Sequence, residues 1–284
     1  MSSSQTLEGK TPSTISQPLS FMVVLEAGSG SHYHVTPTML RAVTFDLWET
    51  LIRDVPENEI LLRGRRIGDI ADVLRRAGFE PDPAVMERAH REVWHRMDAL
   101  WKARRDLSTL EQTRLYLQIA MGPELERVPG PVLDEAATRY GEALLHYPPR
   151  PTDGAVEVVA HARARGLRVA LICNTGRTPG RVLRRILGTF GIAGHIESFC
   201  FSDELGICKP DPEMFHRALK PFDVRPDEAI HVGDRPDLDL DGARNAGLTS
   251  VHLRGPGTPE GDADHVIPTL RELPAILDAR LAAS

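Results

Sequence analysis

The feature that most restricts the fold of this chain is a regular alternation of strand-like and helical segments after residue 148. Short apolar runs, such as residues 168–173 and 229–232, alternate with amphipathic stretches, such as residues 179–190. Strands that alternate with helices form a mostly parallel sheet with right-handed crossovers. The pattern therefore predicts an α/β fold with a Rossmann-like parallel-sheet core. The other predicted elements are strands at 197–202, 250–253 and 265–267 and helices at 154–165, 212–220, 239–246 and 270–281.

The first strand of this sheet comes much earlier, at residues 41–45, and an acidic residue, Asp46, follows it directly. Parallel α/β sheets place their ligand sites at the carboxyl ends of the strands. A carboxylate buried at that edge is costly to desolvate unless a cation or hydrogen-bond donors compensate it. Asp46 therefore predicts that later parts of the chain supply a cation, a metal-binding acid or both.

A segment with a purely helical pattern, residues 54–147, separates this strand from the alternating region. Apolar residues recur there at helical spacing, and prolines divide it into four or five helices. We therefore predict an all-α cap at residues 54–147, inserted beside the carboxyl edge of a core made of residues 39–53 and 148–284. Trp94, Met97 and Trp101 share one helical face, which fits either the cap's own core or a substrate-facing wall. The basic residues fit either a solvated helix face or an anion site: they are Arg63, Arg65, Arg66, Lys102, Arg104 and Arg105.

Small polar residues and a lysine come at the ends of the later strands. Cys173, Asn174 and Thr175 end the second strand, where polar side chains and backbone N–H groups before a helix suit an anion. Lys209 lies in the loop after the third strand. A fixed positive charge there could neutralise both a carboxylate and an incoming phosphate.

A group of acids follows the fourth strand. Asp234 ends that strand, and Asp237, Asp239 and Asp241 come close behind it. Neighbouring carboxylates repel one another unless a divalent cation binds them, and hard oxygen ligands favour Mg²⁺. A nucleophilic acid, a lysine, a metal site and an anion site together indicate phosphoryl transfer through an aspartyl phosphate.

Four motifs in this order resemble the haloacid dehalogenase (HAD) superfamily, in the subfamily with a helical cap after the first motif. They are FDLWETL at 45–51, LICNT at 171–175, SDELGICKPDP at 202–212 and HVGDRPDLDLDGA at 231–243. The resemblance covers residues 40 to 283. It implies a hydrolase in which Asp46 is both the nucleophile and a metal ligand. The Trp48 carbonyl and Asp234 would also bind the metal, and Asp239 would support it directly or through water. Lys209 would bridge Asp46 and the phosphoryl group, whose oxygens would be bound by Cys173, Asn174 and Thr175.

Two positions depart from the family pattern. The phosphatases of this superfamily usually carry an aspartate, the general acid, where this chain has Trp48, and Ser or Thr where it has Cys173. An indole cannot protonate a leaving alkoxide, and general acid catalysis contributes about 10²–10⁴-fold. Glu49 is adjacent, but the next side chain on an extended strand points away from the site. A thiol is also a weaker donor than a hydroxyl.

Three functions fit these residues. The first is a Mg²⁺-dependent phosphatase that acts on a small phosphorylated metabolite. The second is a dehalogenase-like hydrolase of small organic acids, because such relatives carry an aromatic residue at the position of Trp48 and release halide without a proton. Those relatives lack the Gly-Asp of the fourth motif, which this chain retains at Gly233–Asp234. The third is a catalytically weak binding protein on the same scaffold.

Composition limits the partners and the location. The formal net charge of −6 and the pI of about 6.0 argue against a nucleic-acid-binding surface. No apolar run reaches the roughly 20 residues that span a bilayer. Three cysteines without metal-type spacing favour a reduced, cytoplasmic setting.

Two segments receive separate predictions. Residues 1–38 are predicted to be a disordered extension, with Met39 as a candidate native start, and residues 148–151 are predicted to be a hinge. The oligomeric state stays open.

Overall fold

The structure is a computed structural model that describes residues 39–283. The predicted disorder of residues 1–38 lies outside the described residues. The described strands are β1 (Ala42–Phe45), β2 (Ile52–Arg53), β3 (Arg150–Pro151), β4 (Arg168–Cys173), β5 (Ser198–Phe201), β6 (Ala229–Gly233), β7 (Thr249–Leu253) and β8 (His265–Ile267).

A parallel sheet forms the centre of the described chain, in the order β5-β4-β1-β6-β7-β8. All pairings between neighbours in this sheet are parallel. β1 is central, and its four residues are buried because helices cover both faces. Val43 and Phe45 pack into the larger core cluster, and Ala42 into the second. The predicted Rossmann-like α/β core is confirmed.

The α-helices of residues 39–283 fall into two groups. Four lie between β2 and β3 and form what we call the helical insertion; the others alternate with strands of the sheet. In chain order they are α1 (Glu59–Arg76), α2 (Pro83–Lys102), α3 (Thr109–Met121), α4 (Gly130–Glu142), α5 (Ala155–Ala164), α6 (Gly180–Thr189), α7 (Ser202–Leu205), α8 (Pro212–Leu219), α9 (Asp241–Ala246) and α10 (Leu273–Ala282).

Local signals begin the helices of the insertion. Asp82 accepts hydrogen bonds from the N–H groups of Ala84 and Val85 at the start of α2, and Pro83 occupies its first position. Ser108 and Glu111 form a reciprocal capping box at the start of α3. These caps satisfy N–H groups that have no partner inside the helix.

The insertion has its own hydrophobic cluster and is joined to the sheet by two adjacent chain crossings. Met97 is buried in that cluster and Trp101 packs against it, whereas Trp94 is 40% exposed. The interpretation as core therefore holds for Met97 and not for Trp94.

The two chain crossings between the sheet and the insertion pair as a short antiparallel ribbon of β2 and β3. That residues 148–151 act as a hinge stays a prediction; the structure adds that β3, within this segment, pairs with β2. No helix within residues 39–283 has the length and apolar character needed to cross a membrane.

Candidate active site

Three acids and a lysine meet at the carboxyl edge of the sheet. Asp46 follows β1, Asp234 follows β6, and Asp239 lies in the helical turn Pro236–Leu240. The Lys209 ammonium lies 2.5 Å from Asp46 Oδ1 and 2.7 Å from Asp239 Oδ1. Lys209 is only 2% exposed. The structure thus brings together the charged residues that the motifs single out.

Asp239 is held by more donors than Asp46. Its Oδ1 also lies 3.3 Å from His231 Nε2, and its Oδ2 accepts from the backbone N–H of Arg235 at 2.9 Å. Because an ionised carboxylate only accepts, His231 Nε2 carries the proton. His231 Nδ1 then accepts from Thr44 Oγ1 at 2.8 Å. Sequence reasoning missed His231 and Thr44, although a polar residue in the middle of each of two buried strands was a usable signal.

Burial and mutual repulsion shape the ionisation of these groups. Burial, opposed by Lys209 and assisted by the Asp239 charge, raises the pKa of Asp46 to about 6. Burial, followed by the charges of Asp46 and Asp239, raises the pKa of Asp234 to about 7. Burial works against Asp239 too, but Lys209 and His231 lower its pKa overall. The same two carboxylates raise the pKa of Lys209 against the effect of burial. One protonated lysine therefore pairs with two of the three acids, Asp46 and Asp239.

The excess of negative charge suits a cation. Asp46, Asp234 and Asp239 each offer a ligand oxygen, and these atoms lie within 4.8 Å of one another. Carboxylate oxygens are ligands for hard divalent cations. Asp234 makes no ion pair with a lysine or arginine of residues 39–283. This donor set can bind a metal ion.

The loop after β4 supports Lys209 as well as facing the site. Asn174 Nδ2 donates to the Lys209 carbonyl at 3.1 Å, and the Lys209 N–H donates to Asn174 Oδ1 at 2.8 Å. Cys173 is fully buried and packs in the larger core cluster. Burial, together with the Asp46 charge, raises the pKa of its thiol well above the usual value. Substrate binding by these two residues and Thr175 stays a prediction; the observed contacts of Asn174 position the lysine.

A buried chain of hydrogen bonds links this loop to the helical insertion. The Thr175 N–H donates to Ser202 Oγ at 2.8 Å, and Ser202 Oγ donates to Asp106 Oδ2 at 2.5 Å. The other oxygen of Asp106 accepts from Trp101 Nε1 at 3.0 Å and from the Leu107 N–H at 2.8 Å. Sequence reasoning did not find Asp106, because its partner lies 96 residues away.

The turn after Asp46 shows where the two residues next to it lie. The backbone of Trp48 forms an isolated bridge with Ile52, and its half-buried side chain packs against the core. Glu49 is in a turn with φ 59°, so the assumption that it continues an extended strand was wrong. Its exposed carboxylate lies 3.9 Å from Arg53. That Glu49 is not the general acid stays a prediction.

The helical insertion packs directly onto the loops that carry these residues. The Asp106 N–H donates to the Gly206 carbonyl at 3.1 Å, and the Cys208 N–H to the Arg104 carbonyl at 3.3 Å. Gln112 Nε2 donates to the Gly176 carbonyl at 3.0 Å. These bonds hold the insertion against both sides of the site. Asp46 is buried, at 6% exposure.

Comparison with known proteins identifies the family. A family model described as a haloacid dehalogenase-like hydrolase matches residues 40–247. The chain belongs to this family. It is 34% identical over 259 residues to a phosphoserine phosphatase of Thermus thermophilus, which covers 82% of this chain and 98% of that protein.

Two further comparisons bear on this HAD-like hydrolase. A glyceraldehyde 3-phosphate phosphatase of Methanopyrus kandleri is 25% identical over 218 residues, covering 76% of this chain and 84% of the relative. A solved 2-haloacid dehalogenase from Pseudomonas syringae superimposes with a TM-score of 0.59 at 25% identity, covering 85% of this chain and 99% of that one. The chain is a hydrolase, and relatives named as phosphatases support phosphatase activity.

The remaining acids and cations divide between solvent and interior. Asp237 and Asp241 are exposed and lie beside Arg235 and Arg244. Most basic residues of the insertion fit the solvated-face interpretation; for example, Lys102 pairs with Asp98 on the surface. Arg66 does not, because it is buried.

A glycine at the end of β6 makes room for Asp239. A Cβ at Gly233 would lie 2.3 Å from Asp239 Cγ. We expect Gly233→Ala to lower the free energy of unfolding by about 1–3 kcal/mol through overpacking. Gly188→Ala is the control, since nothing lies within 4 Å of that helical glycine, and it should raise the value by about 0.5–1 kcal/mol. Urea denaturation measures both; an equal response would contradict the close contact with Asp239.

Proposed function

We propose that this hydrolase is a Mg²⁺-dependent phosphatase that forms an aspartyl phosphate on Asp46. The observation that carries the proposal is the buried cluster in which Asp46 lies 2.5 Å from Lys209 and within ligand reach of two other carboxylates. The phosphatase relatives support the same chemistry. The substrate class that follows is a small phosphorylated metabolite. A cytoplasmic location stays a prediction from the cysteine content.

The proposed reaction has two steps. A carboxylate oxygen of Asp46 forms a bond to phosphorus while the ester oxygen leaves with its electron pair. Water then breaks the aspartyl phosphate, releasing inorganic phosphate and restoring the carboxylate. Lys209 holds the reacting oxygen of Asp46 in place and reduces the repulsion between the carboxylate and the incoming phosphate. Asp239 and Asn174 fix the position of the lysine.

The proposed metal site uses residues that this structure places together. Asp46, Asp234 and the Trp48 carbonyl would hold Mg²⁺, and Asp239 would support it directly or through water. A divalent cation at this position supplies positive charge that offsets the developing negative charge on the phosphoryl oxygens. The donor set fits, since three acids lie together and Lys209 pairs with two of them, Asp46 and Asp239. Chelation with EDTA should abolish phosphate release, and added Mg²⁺ should restore it; turnover without metal would refute this part.

Dependence of the rate on the leaving group should distinguish this enzyme from phosphatases that carry an aspartate general acid at the position of Trp48. Because Trp48 cannot donate a proton, we expect good hydrolysis of an aryl phosphate, whose leaving group needs little protonation, and slow hydrolysis of alkyl phosphates. Trp48→Asp should raise alkyl phosphate turnover by about 10²-fold or more, within the range of general acid catalysis. Phosphate release from both esters, measured with Mg²⁺, provides the comparison.

Trp48→Phe is the matched control, because it removes the same indole without adding an acid. It should leave the ratio of aryl to alkyl turnover unchanged. Equal wild-type turnover of both esters would show that another group protonates the leaving oxygen. Thermal melts of both variants report whether the lost packing of Trp48 has disturbed the fold.

A dehalogenase-like activity is the second candidate. The aromatic side chain of Trp48 and the likeness to the Pseudomonas syringae dehalogenase favour it. The retained Gly233 and Asp234 favour phosphate chemistry instead. Halide release from 2-haloacids, assayed beside phosphate release, distinguishes the two activities.

A catalytically weak binding protein is the third candidate, and the buried charges argue against it. Asp46, Asp239 and Lys209 are each at most 6% exposed. Buried ionic groups usually stabilise the folded state less than apolar side chains of similar size would, because their charges lose hydration. A site that no longer carried out chemistry would gain stability by losing them. Their presence together supports an active enzyme.

A further inference from the structure

A buried positive charge that forms no ion pair within residues 39–283 lies where the helical insertion meets the loop after β4. Arg66 on α1 is 7% exposed. Its Nη2 donates to Thr178 Oγ1 at 3.1 Å, and its guanidinium lies 5.7 Å from the centre of the Tyr140 ring. Its Nε has no hydrogen-bond partner among the described residues, and no carboxylate of residues 39–283 pairs with it. Buried charges in proteins are usually paired.

A second cation faces the same interface from the core. The Arg177 guanidinium lies 4.0 Å from the centre of the Trp94 ring, and its Nε is also buried without a hydrogen-bond partner in the described chain. Burial lowers the pKa of Arg66, the Arg177 charge lowers it further, and Asp54 opposes the shift. The two guanidinium groups are thus close enough to repel each other. Their placement is unfavourable unless an anion joins them.

A histidine adds a third hydrogen-bonding group without a partner. His90 on α2 is buried, and its Nε2 makes no hydrogen bond within residues 39–283. Burial, followed by the charges of Arg177 and Arg66, lowers the pKa of His90 to about 3. His90 is therefore neutral at pH 7 and does not neutralise either arginine. Like the two Nε atoms, its Nε2 is shielded from solvent.

What we call the cationic pocket, the group of Arg66, Arg177 and His90, is linked to the site at Asp46 through the loop after β4. Arg177 is three residues after Asn174, whose amide holds the backbone of Lys209. Three residues cannot span more than about 11 Å between Cα atoms. The loop that positions the catalytic lysine therefore also carries Arg177.

We propose that Arg66 and Arg177 bind the carboxylate of a small phosphate ester whose phosphoryl group lies at Asp46. The inference rests on the proposed phosphatase function and narrows its substrate class to phosphorylated carboxylic acids. A planar carboxylate accepts paired hydrogen bonds from guanidinium groups and is compact enough for a shielded space. The uncompensated charge of the pocket would then be neutralised only by the correct substrate, which gives selectivity.

The test compares 2-phosphoglycolate with its carboxamide, which has nearly the same size and shape but lacks the negative charge of the remote group and carries an NH2 donor in place of one acceptor oxygen. For the wild type we expect kcat/KM to favour the acid by about 100-fold, as for loss of one partner of a buried charge pair. Arg66→Gln and Arg177→Gln should each reduce this preference to within a few-fold of unity. Arg75→Gln should leave it unchanged, since Arg75 lies exposed on the same helix and pairs with Asp72.

Each outcome decides one of the two proposals. Release of phosphate from acid and amide at equal rates by the wild type would overturn the carboxylate site and leave the phosphatase function standing. A preference that survives in both Gln variants would also overturn it. If the wild type released phosphate from neither compound nor from an aryl phosphate, the proposed function would fail. Whenever the wild type turns over neither compound, with or without turnover of the aryl phosphate, calorimetric binding of acid and amide with Mg²⁺ decides the carboxylate site: tighter binding of the acid is expected, and equal binding would overturn the site.

The half-exposed position of Arg177 protects the test from misfolding. If Arg66→Gln melts at a much lower temperature than the wild type, the preference for acid over amide is measured in Arg177→Gln and in the conservative variant Arg66→Lys instead. Arg66→Lys keeps the charge and should retain part of the preference, whereas a purely structural role would give no difference between acid and amide in any variant.

Discussion

Replacing Asp46 with asparagine should lower Mg²⁺-dependent phosphate release by at least about 10⁴-fold, as removal of a catalytic nucleophile does in other enzymes. The amide keeps the size of the side chain and can still accept a hydrogen bond from Lys209, but it is a poor nucleophile. Phosphate release from an aryl phosphate is the suitable measurement, because its leaving group needs no acid. Residual activity near the wild-type level would refute the aspartyl phosphate.

Asp241→Asn is the matched control for this loss. Asp241 lies in the same acidic segment as Asp239, but its side chain is exposed and its nearest cation is Arg244 at 3.8 Å. The same chemical change there should alter turnover by less than about twofold, since surface substitutions have small effects. Comparable losses in both variants would point to the total negative charge of the segment rather than to a nucleophile.

Stability gives an independent readout of Asp46→Asn. The pKa of Asp46 is raised in the folded state to about 6, from an ordinary value of 3.8. An acid with a raised folded-state pKa costs stability as pH increases through that value. In EDTA, the wild type should therefore lose stability between about pH 4 and pH 7, the range bounded by the ordinary carboxyl pKa and the raised values of Asp46 and Asp234, and Asp46→Asn should lose less and be the more stable protein at pH 8. A folded, more stable and inactive variant separates catalysis from folding.

The sheet could be predicted from sequence because its strands are short, apolar and buried on both sides. The predicted strands at 168–173 and 265–267 have the observed bounds of β4 and β8. The ribbon of β2 and β3 could not be predicted in this way. Each strand has two residues, too few for an alternating pattern, and their partners are about 100 positions apart.

The charged residues of the site were predictable by position, but their contacts were not. Asp46, Lys209 and Asp234 lie at strand ends, where a sheet places ligand sites. That the Asn174 amide binds the Lys209 backbone depends on how two loops meet, which no local pattern specifies. The burial of Arg66 was not predicted, although a usable signal was present in the sequence. Arg66 shares the helical face of Ile70, at i+4, and so points inward.

Replacing Lys209 with methionine should be the most destabilising single change at the site. Methionine has a similar length and fills the same space, but it removes the cation that bonds to both Asp46 and Asp239. Loss of one partner of a buried ion pair costs about 3–5 kcal/mol, because the other charges stay buried and uncompensated. Urea denaturation in EDTA at pH 8 should show that loss, and phosphate release should also disappear. Lys220→Met, at an exposed position, is the control and should change the free energy by less than about 0.5 kcal/mol.

The pH dependence of Lys209→Met identifies the cause of its instability. Without the lysine, the pKa of Asp46 should rise further above its unfolded-state value, and that of Asp239 should rise from below its own, so the folded variant binds protons more tightly than the folded wild type. Groups of this kind favour folding at low pH and oppose it as pH rises through the folded-state pKa. The difference from the wild type should therefore shrink between pH 8 and pH 5. A difference that stayed constant over this range would mean that lost packing, rather than unpaired carboxylates, explains the effect, and that the lysine does not hold the acids of this site together.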